Sequence, residues 1–363
     1  MKEVIILPII LAFVLSVLLS IIIIKFVNFG IDQSKGIQKI HQKAASRLGS
    51  IPIFFSALLP YFIFDSLSSK VVLFFLALTP LYISGLLEDL LNSISPNIRL
   101  GCALISSSLI VLITNTYLGQ VDIVWANTLL EISIISFIFT TIGITATSNA
   151  WNIIDGLHGF SSGLAIIVLS VICYLSWIEK LDDIFMICLY IISSTLGFFL
   201  VNILTGRIFL GDAGSYGLGA IIAWSGLVIT SNNSKTSSWV IFFIIIYPAT
   251  ELLISFFRRI KNKKSPFLAD NEHLHSILHN NILNRYVKTS RYQINLSASL
   301  IVLILASTPS LLIIFFDIKY PYILYAIVIY VFIFLILKKF LINSKMNKNT
   351  KIENKINKLK DNE

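Results

Sequence analysis

The chain has 363 residues, 56% of them hydrophobic and only 13% charged, with a mean hydropathy of +0.85. So little charge would not coat a water-soluble surface of this length, which excludes an ordinary soluble domain. The net charge of +9 is explained by membrane topology and attraction to anionic lipid, and requires no nucleic-acid partner.

Taken in order, the apolar runs predict about eleven membrane spans, at residues 4–27, 51–67, 70–87, 98–117, 129–148, 160–178, 184–204, 214–230, 239–257, 293–316 and 321–340. The first run is too long for a signal-peptide core and lacks a basic start and a small-residue cleavage site, so it reads as a true helix. Cys102, Cys173 and Cys188 lie inside apolar runs without metal-ligand spacing and read as packing residues. The expected architecture is an all-α polytopic membrane protein, with residues 1–342 as one transmembrane domain. Residues 343–363, rich in Lys, Asn and Glu, read as a disordered tail.

Charge asymmetry sets the orientation. With the N-terminus outside and the C-terminus cytosolic, 23 of the 28 Lys and Arg fall on the cytosolic side. Five segments richer in chemistry than ordinary connectors fall on that same side. The first, GIDQSKGIQKIHQKAASRLGS (30–50), gathers Lys35, Lys39, His41, Lys43 and Arg47. It reads either as topology-setting charge or as a basic mouth for phosphate groups. The second, GLLEDLLN (85–92), sets Glu88 beside Asp89 at the end of a span. Carboxylates oppose the helix dipole there and are costly near hydrocarbon, so the pair points to a divalent metal or to proton transfer.

The third segment, NAWNIIDGLHGF (149–160), spaces Asn149, Asn152 and Asp155 by three, which on a helix shares one face before Gly156 and Gly159 loosen the chain. In the fourth, GRIFLGDAGSYGLG (206–219), glycines surround Asp212 just before a span. Backbone N–H groups there would suit an anion, and Asp212 a cation. The fifth, RRIKNKKSPFLADNEHLHSILHNN (258–281), joins a basic run to Asp270, Glu272, His273, His275 and His279. His275 and His279 stand four apart, but without a closed ligand set zinc is disfavoured, and the histidines read better as donors to pyrophosphate oxygens. Glu251 lies inside a span near Pro248, with Arg258 two turns on as its expected charge neighbour. Hard oxygen donors ringed by cations at a membrane face suit Mg²⁺ and a lipid phosphate reacting with a soluble activated phosphate.

The order of the five segments resembles the polyprenyl-phosphate N-acetylhexosamine-1-phosphate transferase family, from about Asp32 to His275. NAWNIIDG, GDAGS and SPFLADNEHLHS carry the resemblance. It implies transfer of an N-acetylhexosamine-1-phosphate from a UDP-sugar to undecaprenyl phosphate, releasing UMP and starting a cell-envelope polysaccharide such as lipopolysaccharide. It also implies Mg²⁺, with Mn²⁺ as a substitute, and a cytoplasmic (inner) membrane site facing the cytosol, and it leaves a homodimer open. By resemblance Glu88 and Asp89 stand where the acceptor phosphate is deprotonated, and Asp155, with Asn152 beside it, at a carboxylate handling metal or nucleotide. Asp212 stands at the Mg²⁺ ligand and Phe209 at an aromatic stacking on uracil. His273 and His275 stand at the pyrophosphate side, and Lys43 with its neighbours Lys39, His41 and Arg47 at the first-loop phosphate contacts.

Some residues depart from the family pattern. Glu88 replaces an aspartate, His158 an acid, Ser276 a histidine, and Glu251 stands where an aspartate is usual. Other readings are a phospho-MurNAc-pentapeptide translocase, a lipid transporter with polar residues through mid-membrane, or an inactive scaffold.

Overall fold

The computed structural model describes residues 2–27, 29–32, 45–64, 68–231, 235–263, 272–283, 290–316, 318 and 320–360. The helices are α1 (Lys2–Phe26), α2 (Ser50–Phe64), α3 (Ser69–Leu91), α4 (Pro96–Thr114), α5 (Val124–Leu130), α6 (Ser133–Ile154) and α7 (Phe160–Ile178). They continue with α8 (Asp182–Thr205), α9 (Gly211–Ser231), α10 (Ser238–Ile244), α11 (Ile246–Lys261), α12 (Leu274–Ile277), α13 (Arg291–Phe316) and α14 (Tyr322–Lys360). A π-helical turn, Leu278–Leu283, follows α12. Two short strands, β1 (Ile31–Asp32) and β2 (Ala45–Ser46), pair antiparallel.

The protein is therefore an all-α multi-pass membrane protein. Among the described residues nine helices are long and apolar enough to cross a bilayer, and α10 with α11 makes a tenth if the bent pair is one span. Each of the eleven expected runs corresponds to a helix, with two differences. The run expected at 51–67 is α2, which is 15 residues long and too short on its own for a hydrocarbon core of roughly 30 Å at 1.5 Å per residue. The run expected at 239–257 is broken at Ile245 by a bend of 74°. Pro248 has no N–H to give the Ile244 carbonyl, so the helix restarts with proline in its first turn, where a missing donor costs little.

Two boundaries also shift. α6 runs on to Ile154 past the expected 148, which places Asn149 and Asn152 on the helix, and α5 occupies the connector before it. α14 is continuous to Lys360, into the segment expected to be disordered; Lys and Glu are good helix formers, so composition alone does not forbid this.

The centre of the bundle is α9, whose side chains are buried along nearly its whole length. Trp224 stacks on Phe74 of α3 at 4.2 Å, and its indole N–H donates to Thr114 Oγ1 at 3.2 Å, which satisfies the polar edge of a buried ring. Phe26, Ile105, Ile304, Phe315 and Val328 on α1, α4, α13 and α14 are exposed, as lipid-facing positions require. The one-sided clustering expected from topology appears in the contacts. The C-terminal ends of α1, α3, α6 and α8 meet the N-terminal ends of α2, α4, α7 and α9 around a small knot of backbone. In it Phe209 N–H donates to Ser46 O at 2.7 Å and Gly49 N–H to Phe209 O at 2.9 Å. β2 is thereby tied to the entry of α9, and Arg47 is carried to the mouth of that helix.

Candidate active site

The site is built around the N-terminus of α9. Gly211 has φ +75°, a conformation that glycine adopts without penalty. The chain thus turns into α9 with its first N–H groups pointing at the end of α3. There Asp89, fully buried, accepts from Asp212 N–H at 2.8 Å and Ala213 N–H at 3.0 Å, one bond to each carboxylate oxygen. The sequence suggested that these N–H groups would serve an anion; the anion is Asp89 itself, set favourably on the positive end of a helix. α3 can approach so closely because residue 85 is glycine: a Cβ there would lie 2.7 Å from Ala213 Cα.

Arg47 bridges the two acids, its Nη2 lying 3.2 Å from Asp89 Oδ1 and 3.1 Å from Asp212 Oδ1 while Nη1 donates to Asn92 Oδ1 at 2.7 Å. Arg99 closes on the other Asp212 oxygen. Asn152 Nδ2 donates to Asp212 Oδ1 at 3.1 Å and to Ser215 Oγ at 2.9 Å. Asp212 thus sits at the meeting point of two guanidinium groups and an amide drawn from three other parts of the chain.

Asp155 follows the last residue of α6 and is only half-buried, yet its carboxylate carries no hydrogen bond or ion pair to any described residue. Loss of water around it, then repulsion from Asp89, pushes its carboxyl up to about 7, with Arg47 pulling the other way. Its neighbour Gly156 abuts His275, since a Cβ at 156 would lie 2.7 Å from His275 Nε2. His275 is buried and stacked on His273 with ring centroids 5.5 Å apart. Burial, then the neighbouring His273 charge, holds its pKa down at about 3, so it is a neutral ring with a single N–H to offer.

Other expected residues lie at the edge of this cluster. Glu88 turns aside, accepting Ile94 N–H at 2.8 Å and tying down the α3–α4 turn. Asn149 donates back to Thr145 O at 2.8 Å. Phe209 is half-buried, with one face stacked on His158 at 5.0 Å; His158 also meets Tyr292 at 5.5 Å. Lys39, His41 and Lys43 lie outside the described residues. One charge pairing is corrected: Glu251 is held by Lys338 Nζ at 2.9 Å and His273 Nδ1 at 3.2 Å, while Arg258 pairs with Glu272 at 3.4 Å. Two turns of helix are about 10 Å, too far for Arg258 to reach back to Glu251.

Gly211→Ala probes this geometry. The added Cβ would lie 2.1 Å from Arg47 O and 2.6 Å from Asp89 Oδ2, at a φ that alanine resists. The expected outcome is a loss of about 2 kcal/mol or more in stability, read as a lower melting temperature in detergent.

The model of glycosyl transferase family 4 matches residues 71–231, the stretch that contributes Asp89, Arg99, Asn152, Asp155 and Asp212. Over that stretch the chain is similar to glycosyl transferase family 4. Its similarity to individual members extends further. It is 24% identical over 257 residues to the undecaprenyl-phosphate alpha-N-acetylglucosaminyl 1-phosphate transferase of Salmonella typhi, covering 69% of this chain and 70% of that protein. It is 25% identical over 254 residues to the Escherichia coli O157:H7 protein of the same name, covering 69% of each. It is 28% identical over 280 residues to a probable undecaprenyl-phosphate N-acetylglucosaminyl 1-phosphate transferase of Bacillus subtilis, covering 74% of this chain and 76% of that protein. Like these relatives, this chain is a phosphotransferase enzyme.

Three site residues escaped the sequence reading as participants. Arg99 counted only as topological charge, although a cation in the first turn of a span opposes the helix dipole and therefore advertises an acid nearby. Asn92 follows α3 with φ 51°, a common use of asparagine, and from there reaches Arg47. Ser215 had no distinguishing signal.

Proposed function

We propose that the chain transfers an N-acetylhexosamine-1-phosphate from a UDP-sugar to undecaprenyl phosphate at the cytosolic face of the cytoplasmic membrane, the first step of a cell-envelope polysaccharide. The observation that carries this reading is the meeting of Asp89, Asp155 and Asp212, from three helices, with Arg47 and Arg99 at one end of the bundle. The names of the relatives supply the chemical class. A lipid-phosphate oxygen attacks the sugar-bearing phosphorus of the donor, the bond from that phosphorus to the bridging oxygen breaks, and UMP leaves with the electron pair.

Among the described residues no three His, Cys, Asp or Glu side chains form a ready-made metal cage. That fits a Mg²⁺ site of one or two carboxylates completed by phosphate oxygens and water. Asp212 is the residue to hold the ion: its two oxygens are already turned toward cationic partners at the mouth of the cluster. Bound there, Mg²⁺ would offset charge on the pyrophosphate. Arg47 and Arg99, exchanging part of their hold on Asp212 for phosphate oxygens, would stabilise the transferring group. Asp89 has both oxygens committed to α9, and Glu88 is held by Ile94. Asp155 is the carboxylate left able to accept a proton from the lipid phosphate. Phe209, Asn149, His273 and His275 border the donor side.

The test is mass spectrometry of lipid product and assay of UMP release, with purified protein, undecaprenyl phosphate, Mg²⁺ and, in turn, UDP-GlcNAc, UDP-GalNAc and UDP-MurNAc-pentapeptide. Turnover of one of the first two is expected, and it should stop when a chelator removes the metal. Turnover of the pentapeptide donor alone would place the chain in peptidoglycan synthesis, and inertness with every donor would sink the transferase reading.

A further inference from the structure

Lys338 and Lys339 stand side by side in the last span, and orientation alone would have both head groups reaching for water at the cytosolic surface. Lys339 does so and is exposed, whereas Lys338 turns inward on the same helix face as buried Phe334 and is only 4% exposed. Its Nζ lies 5.5 Å from the Phe334 ring centroid and donates to Glu251 Oε2 at 2.9 Å. A lysine drawn into the bundle loses hydration, and this is tolerated only with a partner in place.

Glu251, fully buried in the bent span, passes the contact on. Its Oε1 accepts Leu274 N–H, the first residue of α12, at 2.7 Å, and its Oε2 lies 3.2 Å from His273 Nδ1. Both ends of one carboxylate therefore hold the start of the segment that carries His273 and His275. The His273 ring lies almost parallel to His275, and His275 in turn abuts Gly156 beside Asp155. Three separate pieces of chain, α11, α12 and α14, are joined at one buried carboxylate. The family match ends before all three.

We infer that Lys338 is a positioning residue for the reaction: through Glu251 it fixes the histidine pair against the Asp155 end of the site. The inference rests on the transferase reading for its effect on rate. Its structural half, the anchoring of residues 272–283, stands apart from that reading. Without the lysine ammonium the Glu251 carboxylate keeps only the Leu274 N–H and His273 as partners among the described residues. The carboxylate would then take up a proton or shift, and the Leu274 N–H and His273 lose their common acceptor.

The experiment uses the full-length protein in detergent and compares wild type, Lys338→Arg, Lys338→Met and Glu251→Gln. Three readouts serve: UMP release at varied UDP-sugar and lipid concentrations, melting temperature, and hydrogen–deuterium exchange of a peptide covering 272–283. Lys338→Met is expected to lose about 10–100-fold in kcat/KM, the usual scale for a partner that orients a site residue. Most of that loss should fall in kcat, with faster exchange confined to 272–283. Lys338→Arg should stay within a few-fold of wild type.

Glu251→Gln keeps the shape of the side chain and removes the charge that holds Lys338, so it carries the test if Lys338→Met does not fold. It should show the same kcat loss and local exchange at a melting temperature close to wild type. Wild-type kinetics and wild-type exchange in Glu251→Gln, whether Lys338→Met folds or not, would overturn the inference and leave Lys338 a stabilising residue only. An inert wild type would instead defeat the transferase reading, and the exchange measurement would still decide whether Lys338 anchors the segment.

Discussion

Asp212→Asn should cut the rate of UMP release by about 10²–10³-fold, the scale for removing a group that organises charge at a reacting phosphoryl or acyl centre. The expectation follows from what Asp212 touches. Its two oxygens meet Arg47, Arg99 and Asn152, so one side chain sets the positions of both guanidinium groups and of the amide. Asparagine keeps the shape but removes the charge. Arg99 would then have no acid partner among the described residues, while Arg47 keeps Asp89 at 3.2 Å. Both arginines reach solvent in part, so the fold should tolerate the change with only a small fall in melting temperature. Holding Mg²⁺ also predicts that the variant needs more metal for whatever activity remains. A titration of rate against Mg²⁺, run on both proteins at matched folding, checks both points. Equal rates at equal Mg²⁺ would remove Asp212 from the metal and the arginines from the transferring group.

The spans were legible because bilayer thickness imposes a length and a composition that few other structures share. The five polar segments were legible for the complementary reason, since acids and amides at the edge of hydrocarbon need partners. What the sequence could not supply was the partner list. Glu251 announced itself as an intramembrane acid, but the cation nearest in sequence, Arg258, lies two turns away on the same helix, and the real partner, Lys338, arrives from another helix. Asp89 looked like a group awaiting a metal or a proton, and nothing in the sequence paired it with the two backbone N–H groups that the folded chain gives it. Such pairings depend on which helix ends are neighbours, and hydropathy does not encode that. The break at Ile245 is an intermediate case. Pro248 marked a weak point in the run, while the 74° turn depends on how the two pieces pack.

Replacing Asp155 by asparagine should have opposite effects on rate and on stability, and the two together test the carboxyl more sharply than either alone. Near the site the carboxyl is held at about 7, against about 3.8 in an open chain, because water is displaced from it and Asp89 repels its charge. Below about pH 4 it is protonated both folded and unfolded, and it makes no difference to folding. Between there and about 7 the unfolded chain releases the proton that the folded chain keeps, so stability falls as pH rises across that window and stays lower above it. Asp155→Asn removes this cost. Its melting temperature should exceed that of wild type by a few degrees at pH 8, with the gap closing toward pH 4–5. The same variant should release UMP about 10²–10⁴-fold more slowly, the range ascribed to a lost general base. In wild type the rising limb of kcat/KM should inflect near 7, shared with ionisation of the lipid phosphate, and the asparagine variant should retain only the lipid's share. A variant that is both less stable at pH 8 and unimpaired in rate would mean that the carboxyl is neither crowded nor chemical. A stabilised variant with full activity would keep the electrostatics and take Asp155 out of the proton transfer.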